Sequence, residues 1–105
     1  MASISDTELV YKVAQATDAG RIDWQKTAVD KQYAATFGGK WTILIDQSVD
    51  RSDVFWLSLQ NSEGEAILTI YSSQDSRLGD IFEAARRHAL KVNEAVSDFL
   101  KELGK

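Results

Sequence analysis

The only histidine of the chain, His88, stands among basic residues. Arg86, Arg87 and Lys91 flank it, and such a group could act as a general base or bind phosphate. Glu83 precedes Arg87 by four residues, the spacing at which opposite charges pair on the surface of a helix. We therefore interpret His88 as part of a solvated helix face and predict no catalytic role for it.

The other candidates for chemistry lack the spacing that their chemistry needs. Asp46, Asp50 and Asp53 do not have the alternate ligand positions and central glycine of a calcium loop, and we interpret them as a solvated loop. No serine has a glycine two residues before it and another two residues after it, as a nucleophile elbow requires. The run 38–40, Gly-Gly-Lys, lacks the spacing of a phosphate-binding loop. The sequence thus predicts no catalytic, cofactor-binding or metal-binding residue.

The composition narrows the function classes further. At 105 residues the chain is expected to form a single domain, residues 1–105. It has no cysteine, which excludes a disulfide framework, a thiolate zinc site and a cysteine nucleophile. Its net charge of -4 disfavours nucleic acid, itself a polyanion, as a partner. No signal-like segment opens the chain and its longest apolar run has four residues, 54–57, so we expect a cytoplasmic protein with no membrane partner.

A helix is predicted near the N-terminus, over residues 6–19. Residues 5–8, Ser-Asp-Thr-Glu, fit a capping box, with Ile4 and Leu9 as a hydrophobic staple. Gly20 is placed to end the helix in the left-handed conformation. The connection that follows carries Trp24, which we expect to pin it to the core.

A second helix is predicted near the C-terminus, over about residues 77–103. Its apolar residues recur at alternating spacings of four and three, which is typical of an amphipathic helix packed along one face. The serines of residues 72–76 are expected to supply its turn and N-cap. Such a helix would be about 40 Å long, longer than a strand of the sheet, at ~1.5 Å per residue. We favour one continuous helix, although Asn93 could instead cap a new helix beginning at Glu94.

Between the helices the apolar period changes to two and predicts two hairpins. The first turns at Gly38 and Gly39 in a two-residue loop, and the second turns at residues 61–64 with Gly64 in a bulge. A polar loop over residues 46–53 joins them, in which only Val49 is expected to pack. The predicted fold class is α+β: an N-terminal helix, a four-stranded antiparallel meander and a long C-terminal amphipathic helix.

This register predicts a sheet that is apolar on both faces. Tyr33, Phe37 and Leu44 would share one face, and Trp41 with its alternating neighbours the other. In the second hairpin, Phe55, Leu57, Leu59, Ile67 and Tyr71 would lie opposite Trp56, Leu68 and Ile70. Either the helices cover one face each, or residues 21–30 and the polar loop cover part of the second face, or a second copy or a partner protein covers the face that carries Trp41 and Trp56.

We therefore hypothesise a small, acidic, non-catalytic protein that binds another protein or a second copy of itself, in a regulatory or chaperone-like role. The element order resembles that of small bacterial proteins, including acidic chaperone-like and immunity-like ones, on architecture alone. The alternative is a small-molecule-binding domain or an enzyme with a pocket between sheet and helices, in which Asp23 or Glu83 plays a polar role. No cofactor is expected. The candidate interface residues are Trp41, Ile43, Trp56, Ile70, Phe99 and Leu103.

Overall fold

The chain folds into one helix, five strands and two further helices. A computed structural model describes residues 4–104, with side chains from residue 6 onward. The five strands form one antiparallel sheet in the order β1-β2-β3-β4-β5. The elements are α1 (Ile4–Asp18), β1 (Gln25–Lys26), β2 (Gln32–Phe37), β3 (Trp41–Gln47), β4 (Phe55–Gln60), β5 (Ala66–Tyr71), α2 (Leu78–Ala89) and α3 (Val92–Leu103). The α+β class is confirmed, but the sheet has five strands rather than four because the connection after α1 adds the short β1.

The first helix begins earlier than predicted and ends as predicted. Ile4 is already helical, so Ser5 lies within α1 rather than before it. The side chains of the predicted capping box and staple lie partly outside the described residues. Gly20 has a φ of 71° and its N–H donates to the Thr17 carbonyl (3.1 Å), which confirms the left-handed end of the helix.

The first hairpin has a three-residue loop, which corrects the predicted register. Gly38 and Gly39 both have positive φ, as predicted, but Phe37 pairs with Trp41 and leaves Lys40 in the loop. A shift of one residue moves every side chain of a strand to the other face. Trp41 and its alternating neighbours in β3 therefore share a face with Phe37 instead of opposing it.

The second hairpin turns as predicted but also carries an irregularity that reverses the predicted faces of β5. Gly64 has a φ of 81° and its N–H donates to the Asn61 carbonyl (3.1 Å). The register then shifts between Leu59 and Gln60. The resulting pairs are Leu57 with Ile70, Leu59 with Leu68 and Trp56 with Tyr71. Together with the pairing of β3 and β4, the two shifts place most of the apolar side chains on one face of the sheet, whereas Leu44, Trp56 and Tyr71 lie on the other.

The core lies between the face that carries Ile43, Ile45 and Leu57 and the helices α1 and α2. Trp24 is fully buried, and its Nε1 donates to the Thr17 hydroxyl on α1 (3.1 Å), which confirms that it pins the connection to the core. Phe82 of α2 packs its ring against Tyr33 and Phe55, with centroids 5.5 and 5.4 Å apart. The largest fully buried side chains are those of Trp24, Ile45, Leu57, Ile70, Leu78, Ile81 and Val10.

The predicted continuous C-terminal helix is broken after Ala89. Lys91 adopts left-handed backbone angles (φ 53°, ψ 48°) and is the N-cap of α3, so Asn93 is not the cap. A helix of 12 residues is about 18 Å long and a six-residue strand about 20 Å, so α2 alone matches the sheet. No serine caps α2; instead Oδ1 of Asp75 accepts the N–H of Arg77 (3.0 Å).

Candidate interaction surface

The third helix carries apolar side chains that the chain does not bury. No residue of α3 is buried, and the helix packs mainly on α2. The molecule measures 53 Å along its longest axis but only 30 and 26 Å across. We define the α3 apolar face as Val96, Phe99, Leu100 and Leu103, which are between 50% and 64% exposed. Their spacing of i, i+3, i+4 and i+7 places them on one side of the helix.

Carboxylates line the polar side of α3. Glu94, Asp98 and Glu102 follow one another at intervals of four residues and so form a row along α3. Lys101 is the only basic residue within the helix. With about 3.6 residues per turn, this row lies largely on the side of the helix away from the apolar face and makes that side negative.

A second apolar surface lies between α1 and the end of the first hairpin. It is a groove of about 410 Å³, lined on the sheet side by Phe37, Trp41 and Leu59 and on the helix side by Leu9 and Val13, among others. Phe37 and Trp41 are 42% and 38% exposed, because α1 and α2 leave this end of the sheet uncovered. We call this surface the α1 groove.

The charges in the α1 groove are opposite to those on α3. Lys12 and Arg21 are its only charged lining residues among those the structure describes, and no acidic residue lines it. Both side chains belong to exposed residues. The groove is therefore apolar inside and positively charged where the two basic side chains meet it.

Four of the predicted interface residues lie on these two surfaces. Phe99 and Leu103 belong to the α3 apolar face, and Trp41 and the buried Ile43 line the α1 groove. The structure places the helix residues and the tryptophan on separate surfaces of the same chain. The sequence pattern had not indicated the groove, because its lining comes from α1, the connection after it and three strands.

The other two predicted interface residues lie elsewhere. Ile70 is buried in the core beneath the helices. Trp56 is half-buried on the opposite face of the sheet from Trp41, where its ring lies 6.3 Å from that of Tyr71. The prediction that the two tryptophans share one face is therefore wrong, because β3 pairs with β4 so that Trp56 lies opposite Asp46 rather than opposite Ile45.

Residues considered for catalysis contact polar or charged partners at the surface. His88 Nε2 lies 3.0 Å from Asp23 Oδ1, and this contact lowers the pKa of the Asp23 carboxyl. Glu83 pairs with Arg86 at 2.7 Å rather than with Arg87, and this hydrogen bond lowers the pKa of Glu83. Neither carboxylate lines the α1 groove. Every buried side-chain nitrogen and oxygen in the described chain has a hydrogen-bond partner, so none is left orphaned for a ligand.

Asp46 is not part of a solvated loop, which corrects its predicted place. It is the last but one residue of β3, its side chain is only 6% exposed, and Gln32 Nε2 donates to its Oδ1 (2.9 Å). Burial raises the pKa of this carboxyl. Asp50 stays on the loop, where Val49 is 64% exposed rather than packed. Within residues 4–104 no three histidine, aspartate or glutamate side chains are grouped so that they could hold a metal ion.

Comparison of the chain with protein-family models, with curated proteins and with solved structures found no match. The functional argument therefore rests on the two apolar surfaces and their charges. None of the helices in residues 4–104 has both the length and the apolar character needed to cross a membrane.

Proposed function

We propose that this chain is a non-catalytic binding protein that engages another polypeptide through the α3 apolar face. The observation that carries the proposal is that α3 presents four large apolar side chains, each at least half exposed, while burying none of its residues. Fully burying such a side chain contributes about 1.5–3 kcal/mol, so covering the exposed parts of four would contribute about 3–7 kcal/mol. Contiguous apolar patches of this kind mark sites of association.

The spacing of the face supports a protein partner. Anchors at i, i+3, i+4 and i+7 are the pattern by which an amphipathic helix lies in an apolar groove of a partner. Helices that bind lipid surfaces instead carry lysine and arginine on their polar side, because membrane surfaces are anionic. The row of carboxylates on the polar side of α3 would be repelled by such a surface.

A second candidate function is the binding of a small apolar molecule in the α1 groove. Its volume of about 410 Å³ favours this, since ligand pockets occupy roughly 300–1,000 Å³. Against it, such pockets also present a few convergent polar groups, and the polar residues predicted for that role, Asp23 and Glu83, lie outside the groove in surface ion pairs. We therefore rank this function second.

The test is site-specific photo-crosslinking in the cells that produce the chain. A photoreactive phenylalanine analogue replaces Phe99, and the matched control carries it at Val49, an equally exposed apolar position on a loop. The proposal expects a discrete protein adduct from position 99 and none from position 49. If the folded protein forms no adduct through position 99, or through a second probe at Leu103, the proposal is wrong.

A further inference from the structure

We propose that the α1 groove binds an amphipathic organic anion, a small molecule with an apolar body and one acidic head group. The apolar body lies between α1 and the sheet, and the head group lies beside Lys12 and Arg21 at the edge of the groove. This inference rests on the second candidate function and deepens it, since it names the class of molecule that the groove takes. It is independent of binding through the α3 apolar face.

The walls of the groove suit an apolar body. Its lining is almost wholly apolar, with the rings of Phe37 and Trp41 on the sheet side and Leu9 on the helix side. The two rings are 42% and 38% exposed, because α1 and α2 leave this end of the sheet uncovered. An apolar ligand in the groove removes these surfaces from water, a favourable change that is roughly proportional to the area covered.

Two cations at the edge of the groove favour an acidic head group. Lys12 and Arg21 line the groove and are exposed residues, so their hydrocarbon stems contact the apolar lining while their charged ends reach water. Neither side chain has a hydrogen-bond or ion-pair partner among the described residues. Their ammonium and guanidinium groups are therefore available to bind a carboxylate, sulfonate or phosphate by charge-assisted hydrogen bonds.

No negative charge opposes an acidic head group at this place. Acidic residues are absent from the described lining of the groove, and a third cation, Lys40, lies over the Trp41 ring with its Nζ 5.7 Å from the ring centre. The chain as a whole has a net charge of -4, so this local excess of positive charge runs against the overall balance. Between ligands of equal apolar surface, such complementarity favours an anion over a neutral molecule or a cation.

The experiment compares two fluorescent dyes that share a ring system and differ in charge. Anilinonaphthalene sulfonate is an apolar anion, phenylnaphthylamine is its uncharged counterpart, and both become bright when they leave water. Titration of each dye into the purified full chain gives its dissociation constant. We expect the sulfonate to bind more tightly, and only its affinity to fall as salt is raised, because salt screens exposed charges.

A matched pair of variants tests the head group. Lys12→Gln with Arg21→Gln should weaken the sulfonate about three- to tenfold and leave the uncharged dye within about twofold, since each exposed ion pair is worth roughly a factor of one and a half to five. The control, Lys26→Gln with Arg51→Gln, removes the same charges from β1 and from the loop between β3 and β4. It should change neither dissociation constant.

A second matched pair locates the apolar body. Phe37→Gln removes a ring from the sheet side of the groove and should weaken both dyes, because both lose apolar contact. Phe99→Gln makes the same change on the α3 apolar face and should weaken neither. The reverse pattern would place the dyes on α3 and overturn the inference.

The failure of this inference can be told apart from that of the function on which it rests. Two dyes that bind equally, and that Phe37→Gln weakens but neutralisation of Lys12 and Arg21 does not, retain a small-molecule groove and refute the anionic ligand. If neither dye binds, or Phe37→Gln weakens neither, both the groove and its ligand are refuted. Circular dichroism checks that each variant is folded; if Phe37→Gln is not, the salt dependence and the neutralised variant decide the inference by themselves. A photo-adduct from Phe99 bears only on α3.

Discussion

Replacing Lys91 by glycine tests the break between α2 and α3, on which the exposure of α3 depends. Lys91 sits in the left-handed region (φ 53°, ψ 48°), where an L-residue costs roughly 1–2 kcal/mol relative to the right-handed one. Glycine avoids this cost, but its greater backbone entropy stabilises the unfolded state by about 0.5–1 kcal/mol. We expect Lys91→Gly to raise the free energy of unfolding by about 0.5–1 kcal/mol.

If α2 and α3 formed one continuous helix, Lys91→Gly would instead lower the free energy of unfolding. In a helix interior, glycine is about 1 kcal/mol less favourable than alanine, and its disadvantage relative to lysine is almost as large. A broken helix and a continuous helix thus predict effects of Lys91→Gly on the free energy of unfolding that differ by about 1.5–2 kcal/mol. This difference is well above the error of comparing two unfolding curves.

The assay is urea unfolding followed by far-UV circular dichroism and by tryptophan fluorescence, to which the buried Trp24 contributes. Ala84→Gly, in the interior of α2, is the matched control and should lower the free energy of unfolding by about 1 kcal/mol. Lys31→Gly, at the other left-handed lysine (φ 56°), should raise it as Lys91→Gly does. If Lys91→Gly destabilises the protein as much as Ala84→Gly does, the reasoning is refuted.

Three further predictions concern buried polar groups. Burial raises the pKa of the Asp46 carboxyl above its ordinary value of 3.8, so ionising it lowers the stability of the fold as pH rises above 3.8. Asp46→Asn can still accept the hydrogen bond from Gln32 and carries no charge. It should therefore increase stability at pH 7 and should not do so below pH 3.8. The hydrogen bond from Arg77 lowers the pKa of the Asp75 carboxyl below its ordinary value of 3.8. Its ionised form therefore stabilises the fold above pH 3.8, and this stabilisation is lost as pH falls through the lowered pKa. Asp75→Asn should lower the free energy of unfolding by about 1 kcal/mol at pH 7 and weaken its dependence on pH in acid. Trp24→Phe should cost about 2 kcal/mol in urea unfolding through a cavity and a lost hydrogen bond to α1, and an unchanged midpoint would contradict its role in the core.

Local patterns predicted the elements well, and predicted their relative positions less well. The period of two located β2 to β5, and the glycines at 20, 38, 39 and 64 all have the positive φ that their turns required. The two-residue β1 has no periodicity of its own, because it exists only through its pairing with Ala34 and Tyr33. The candidate site was found in part: Phe99 and Leu103 stand out in the apolar stripe of the last helix, whereas Lys12 and Arg21 carry no signal.

The sequence by itself determined that this is an α+β chain without cysteine chemistry, and that an apolar stripe runs along its last helical segment. The tertiary structure decided which face of the sheet each strand residue lies on and which of the two C-terminal helices is buried. The pairing of β3 with β4, in which Ile45 lies opposite Leu57 and Asp46 opposite Trp56, put Trp41 and Trp56 on opposite faces, because side chains alternate along a strand and this register is set across a long loop. The same holds for α3: its stripe is continuous with that of α2 in sequence, but the sheet is only long enough to bury the first of the two helices.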